Sequence, residues 1–236
     1  MKRRLMVLVL TVMIVGALAG GAQAQFLFGV GGGGSGYILG LQPIRDGLTG
    51  LGLGLTAADV AIIPDVPIPH LQVRGQVRLP FIPFFNFLRV DYNWIELPPT
   101  EVATLPVEIV PGFPVNVGVN MGFNSQVISA TALKQIGLLL FKIYFGVGAD
   151  MISGAMSLAV TSTTPGVGAA VNTILAGAGL DSNTIEMTTA HALAGGRVGL
   201  GFLDLYGELK YLFPLENLGS LTVGEFQVSI GAMLSL

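Results

Sequence analysis

The chain of 236 residues has no cysteine and only two histidines, His70 and His191, so it has neither a disulfide framework nor a thiolate metal site. Charge is scarce too, at 11% Asp, Glu, Lys and Arg against about 25% in an ordinary soluble domain. Yet 52% of the residues are hydrophobic. Past the N-terminal region no segment offers the ~20 uninterrupted apolar residues of a spanning helix. The best stretch, 136–149, is short and contains Lys142. Apolarity without spanning helices leaves the closed barrel, because lipid requires every backbone donor and acceptor to be paired within the protein. No Gly-Lys-Ser/Thr follows Gly31 to Gly34, so the glycine run reads as a linker and not as a phosphate loop.

What is present starts with an export signal. Lys2, Arg3 and Arg4 precede an apolar run from Leu5 to Leu18, and Ala22-Gln23-Ala24 is a small-x-small cleavage site. The expected organisation is a signal peptide over 1–24, a Gly-rich N-terminal segment over 25–47 and a transmembrane β-barrel over 48–236.

The barrel reading rests on period-two alternation, the signature of a strand with one apolar face. From Leu71 to Leu79 the pattern never breaks. In 113–123, Phe113, Val115, Val117, Val119, Met121 and Phe123 share one face, while Asn116 and Asn120 take the other. The segments 203–213 and 225–236 behave likewise, and 48–56, 86–96, 138–149 and 189–200 do so more weakly. These eight segments predict an all-β fold, a transmembrane antiparallel up-and-down β-barrel of 8 strands. The join 125–137 is long for an inner turn, and with part of 25–47 it could add a strand pair, giving 10. Joins 81–85 and 201–202 are the short inner turns. The outer loops are 57–70, 97–112, 150–187 and 214–220, matching the usual asymmetry of such barrels. Within 165–180, Pro165 opens a Gly/Ala-rich piece that reads as a short helix in the long outer loop or as an unstructured loop.

Charges follow the same assignment. Six of the eight bases left after Lys2, Arg3 and Arg4 point into the lumen: Arg74, Arg78, Arg89, Lys142, Arg197 and Lys210. Asp91, Asp204, Glu208 and Glu225 join them, with Gln72, Gln76, Asn93, Gln227 and His191. A lipid-facing Arg or Lys near the midplane costs about 2–4 kcal/mol, which favours this inward placement. Such an interior is a polar plug, or the lining of a narrow pore with a slightly basic constriction. Leu138, Leu140, Leu193, Leu212 and Met233 on the inward face raise the variant of a conduit for apolar compounds. The outer loops are acidic, with Asp59, Asp65, Glu96, Glu101, Glu108, Asp150, Asp181, Glu186 and Glu216. That sign argues against nucleic acid as a partner. Tyr92, Trp94, Tyr211, Phe213 and Phe226 form an outer aromatic girdle, and Phe81, Phe84, Phe85, Phe87 and Phe202 an inner one.

The signal, the dyad strands and a terminal strand running from Glu225 to Leu236 together resemble the bacterial outer-membrane β-barrel proteins, small porin-like members included. In that family the last strand usually closes on an aromatic residue, where this chain has Leu236. The resemblance implies an outer-membrane location, lipid as the surrounding partner, engagement of the outer-membrane assembly machinery, and small solutes or lipids as possible cargo. No cofactor is implied. Neither His70 nor His191 sits in a local catalytic motif, so the expectation is not an enzyme, with an outer-membrane hydrolase as the remote alternative. A different class, an exported β-rich surface assembly protein, is opposed by Arg and Lys recurring on strand faces, where stacked copies would repel.

Overall fold

The computed structural model describes residues 26–36, 42–63, 68–78, 84–138, 140–214 and 226–235. The expected signal peptide, Phe81, Asp65, Glu216 and Glu225 lie outside them. Eight antiparallel strands close into a ring in chain order. They are β1 (Phe26–Gly36), β2 (Ile68–Arg78), β3 (Phe87–Val110), β4 (Phe113–Leu138), β5 (Phe141–Thr161), β6 (Ser182–Leu200), β7 (Leu203–Pro214) and β8 (Phe226–Ser235). Among the described residues three helices lie in the connections: α1 (Gln42–Gly50) and α2 (Ala57–Ala61) between β1 and β2, and α3 (Val167–Gly177) between β5 and β6.

The count of eight is as expected, but one member differs. The glycine segment is not a linker. It is β1, which pairs with β2 on one side and β8 on the other and closes the ring. Residues 48–56, expected as a strand, are the end of α1 and the turn that leads to α2. The barrel therefore begins at Phe26 and not at 48, and the ten-strand alternative fails because 125–137 is a continuation of β4. The predicted helix within 165–180 is α3.

Strand length is uneven, and this shapes the molecule. β1, β2, β7 and β8 have 10 to 12 residues, whereas β3 and β4 have 24 and 26. β5 and β6 are intermediate at 21 and 19. Segments 97–112 and 150–161, expected as loops, are strand, so one side of the wall rises well beyond the other. The β3–β4 hairpin turns at Pro111-Gly112, where Gly112 takes the left-handed φ of 81° that an L side chain disfavours.

Along the long strands the faces exchange roles. In the lower part, Asp91, Ser129, Asp150 and Thr189 lie side by side across β3–β6 and point inward. One step up, the inward row is Asn93, Val127, Ile152 and Met187. The outward rows change at the same height, from Tyr92, Ile128, Met151 and Thr188 to Trp94, Gln126, Ser153 and Glu186. Below this plane the wall is apolar outside, and its interior holds the buried charged side chains beside a small cluster of Phe87, Leu133, Leu193 and Met233. Above it, Val117, Val119, Met121 and Phe123 face inward, and Asn116, Asn120 and Asn124 face outward. The alternation seen in 113–123 is real, but its apolar face lines the interior.

The upper interior is an ordinary hydrophobic core. Leu48, Leu53, Val60 and Ile63 from the α1–α2 region pack with Leu105, Val107, Val117, Val119 and Met121 of the hairpin. α2 starts in a capping box, with the Thr56 N–H donating to Asp59 Oδ2 at 2.8 Å and the Asp59 N–H donating to Thr56 Oγ1 at 3.3 Å. On the other flank Val171 and Leu175 of α3 join the core. The Asn172 amide accepts from the Val160 N–H at 2.7 Å and donates to the Val160 carbonyl at 2.9 Å. It imitates a strand neighbour and closes the edge of β5.

Candidate functional site in the barrel interior

The lower interior is built by short β1. Its inward face is bare at Gly29 and Gly31, and a Cβ on Gly31 would lie 2.0 Å from the Tyr206 hydroxyl, one on Gly29 2.6 Å from Met233. Side chains of β2 and β8 therefore meet over β1, as His70 and Ser229 do at 3.2 Å.

At the centre, four charges form a closed ring. Glu208 on β7 accepts from Arg74 Nη2 at 2.6 Å and from Arg89 Nη1 at 2.7 Å. Asp91 faces the other edge of both guanidiniums, 3.0 Å from Arg74 Nε and 2.8 Å from Arg89 Nε. Two positive and two negative charges cancel, as buried ions must. Tyr144 donates to Glu208 at 3.2 Å, and Arg74 and Tyr206 both donate to Gln72, at 2.8 and 3.0 Å. The Arg74 guanidinium also stacks 3.9 Å above the Tyr206 ring.

A second cluster joins β4, β5, β6 and β7. Asp150 accepts from Lys210 at 2.9 Å, from Thr189 at 3.2 Å and from the Ser129 hydroxyl, and its Oδ2 lies 2.8 Å from His191 Nδ1. The other ring nitrogen of His191 lies 2.9 Å from Thr131 Oγ1. Thr131, His191 and Asp150 thus stand in the order nucleophile, base and acid. All three are sealed from solvent, however, and Lys210 already engages the carboxylate. Towards the inner mouth, Asp204 bridges Arg197 at 3.3 Å and Lys142 at 3.4 Å.

Of the residues expected to line the lumen, Gln72, Arg74, Gln76, Arg89, Asp91, Asn93, His191, Arg197, Asp204, Glu208, Lys210 and Gln227 are buried inside the ring, and Lys142 is partly buried at its mouth. Arg78 departs from this: it ends β2 and is exposed. Asp150, expected in an acidic outer loop, is instead the hub of the second cluster, because β5 runs on past 149 and keeps its alternation. Extending that period by one residue from Tyr144, Gly146 and Gly148 would have placed it. Leu193, Leu212 and Met233 do face inward, but Leu140 is exposed in the β5 entry turn. Phe87, expected in the inner girdle, is buried in the lumen beside Leu133, Tyr144, Leu193, Tyr206 and Met233. Tyr92, Trp94, Phe213 and Phe226 are exposed on the outer wall near the plane where the faces exchange, and Phe84 and Phe202 at its inner end. Among the described residues no group of three or more His, Asp and Glu is placed to hold a metal ion.

No protein-family model matches the chain, and no curated protein matches it. Among solved structures it is similar to the N-terminal β-barrel domain of Pseudomonas aeruginosa OprF, at 11% identity and TM-score 0.45, covering 90% of this chain and 97% of that one. It is similar to the attachment invasion locus protein Ail of Yersinia pestis, at 10% and 0.43, covering 90% and 97%. Neisserial surface protein A gives 11% and 0.42, covering 90% and 95%.

Proposed function

We propose that this chain is an outer-membrane β-barrel, closed to solutes, whose lipid-embedded lower part supports a water-exposed outer storey. The support for a membrane is the outer wall. From Phe141 to Met151, β5 turns Phe141, Ile143, Phe145, Val147 and Met151 outward, all exposed, over the ~9–11 residues that a tilted membrane strand needs. Leu205 and Leu209 on β7, Val228, Ile230 and Leu234 on β8 and Phe28 and Val30 on β1 continue the band. Water-soluble monomers do not expose an apolar belt of this extent. Tyr92, Trp94, Phe213 and Phe226 lie where an aromatic girdle belongs.

The closed state rests on one observation: the Arg74–Arg89–Asp91–Glu208 ring spans the lumen from β3 to β7 with every member buried. An interior of eight strands is just wide enough for side chains, and this one uses the width for ion pairs. The upper interior is occupied by the protein's own Leu, Val, Ile and Met side chains, which favours a core over a conduit for apolar cargo. Catalysis finds no support in a Thr131–His191–Asp150 line that no substrate carbonyl can reach. A closed ring leaves no edges below for fibre growth, and β3 carries Pro98, Pro99 and Pro106 along its rising edge, which blunts pairing with other chains. Exposed Asp59, Glu96, Glu101, Asp181 and Glu186 make the outer surface acidic, which repels nucleic acid.

Two measurements test this reading. The protein should require detergent for extraction and change gel mobility on heating, and solubility in plain buffer as a monomer would overturn the membrane assignment. In planar bilayers it should show no single-channel steps at any salt concentration. Steps in the wild-type protein would make it a porin-like channel instead.

A further inference from the structure

Where the polar interior gives way to the apolar one, three side chains carry hydrogen-bonding atoms that no protein group meets. Asn93 is 0% exposed, and neither its Oδ1 nor its Nδ2 has a partner. His70 Nδ1 and Gln227 Oε1 share this condition, on residues 3% and 1% exposed. Buried polar atoms are nearly always satisfied by protein or by a bound molecule.

The residues that carry these atoms are neighbours on the inward face. Gln72 faces Asn93 across the β2–β3 ladder, so His70, two positions along β2 on the same face, is the diagonal neighbour of Asn93, at about 7–8 Å between backbones. His70 and Gln227 touch, Nε2 to Nε2, at 3.2 Å. With the Gln227 amide nitrogen donating to it, and the Ser229 hydroxyl also 3.2 Å away, His70 Nε2 is the accepting nitrogen of the tautomer that carries its proton on Nδ1. The unmet set is therefore two donor nitrogens, His70 Nδ1 with one N–H and Asn93 Nδ2 with two, and two acceptor oxygens, Asn93 Oδ1 and Gln227 Oε1.

This balance selects the ligand. A cation would face two donors and an anion two carbonyl oxygens, and no charged residue belongs to the set. A hydroxyl both donates and accepts, and so does water, so either can serve both kinds of group. We propose that His70, Asn93 and Gln227 form a binding site for a neutral hydroxyl group, that of water or of a small polyol, at the floor of the outer core. The site requires the ring as it stands and does not depend on what surrounds the barrel.

The test uses the full-length, isotope-labelled protein in detergent, with water and then glycerol as probes. Cross-peaks between bound water and the Asn93 side-chain amide protons are expected, together with a His70 nitrogen shift pattern showing the proton on Nδ1. Both should be lost or altered in Gln227→Leu. Water cross-peaks with no response to glycerol identify water as the occupant, and saturable glycerol shifts confined to the three side chains identify a polyol. Either result upholds the site. Absence of both in protein with a dispersed amide spectrum overturns it, as do water cross-peaks that persist unchanged in folded Asn93→Leu at His70 and in Gln227→Leu at Asn93.

Discussion

Arg89 and Glu208 join opposite walls of the barrel, Nη1 to Oε2 at 2.7 Å, between strands four apart whichever way the ring of eight is travelled. Deleting one end leaves charges buried without a counterion. Glu208→Ala should cost about 3–5 kcal/mol, read as a lower urea midpoint in detergent micelles. Arg89→Leu combined with Glu208→Leu should lose less than the sum of the single changes, since residues in one network couple. Strict additivity would mean that the ring is not a unit.

The plane at which the two faces exchange roles should coincide with the lipid boundary. Val147→Arg, on the exposed face below it, should destabilise by about 2–4 kcal/mol. Ser157→Arg, on the exposed face above it, should stay within about 0.5 kcal/mol of wild type. Equal costs at the two sites would move the boundary elsewhere.

Gly31→Ala should weaken the closure of β1 on β8, because the added methyl meets the Tyr206 hydroxyl and also the Ile230 carbonyl oxygen at 2.8 Å. Tyr206→Phe removes the first obstacle and leaves the second. The double variant should therefore recover part of the lost heat resistance in the gel-mobility assay, and full recovery or none would contradict this account.

Asn172→Leu removes two hydrogen bonds at the β5 edge and leaves the Val160 backbone groups unmet, a loss of about 1–3 kcal/mol for that region. Cleavage by protease between 161 and 182 should accelerate while the lower barrel keeps its heat-modifiable band. Unchanged cleavage would show that α3 is held by its apolar contacts alone.

The Asp59 carboxyl sits below its ordinary range through hydrogen bonds from Thr56, first from the side chain and then from the backbone. A depressed value makes the cap's contribution complete at neutral pH and removes it as pH falls through the folded value, below 3.8. The Thr56 amide signal should titrate at that acid value, and Asp59→Asn should abolish the transition.

The strands that carry side chains of two kinds were legible. Leu71 to Arg78 and Leu203 to Phe213 alternate so regularly that both their existence and the burial of Arg74, Asp204, Glu208 and Lys210 followed from the period. β1 was not legible, because Gly31 to Gly34 have no side chain to display a period, and its identity depends on what β2 and β8 place over it. The outer storey is legible as strand only in 113–123, whereas 97–112 and 150–161 read as loops. Period two reveals that Val117, Val119 and Met121 share a face, but not whether lipid or a protein core lies against it. Asp150 is hidden for a simpler reason: the strand expected over 138–149 stops one residue short of it.

The bare inner face of β1 at Gly29 and Gly31 bears on how the cylinder shuts. Seven staves project residues into the hollow, and those must interlock before the ion clusters can form. The first stave has nothing at Gly29 or Gly31 to steer past them, so it can slide home against an interior that is already assembled, guided by its backbone ladder and by Phe28 and Val30 outside. At Gly29 and Gly31 the seam can thereby close without displacing a side chain that it encloses.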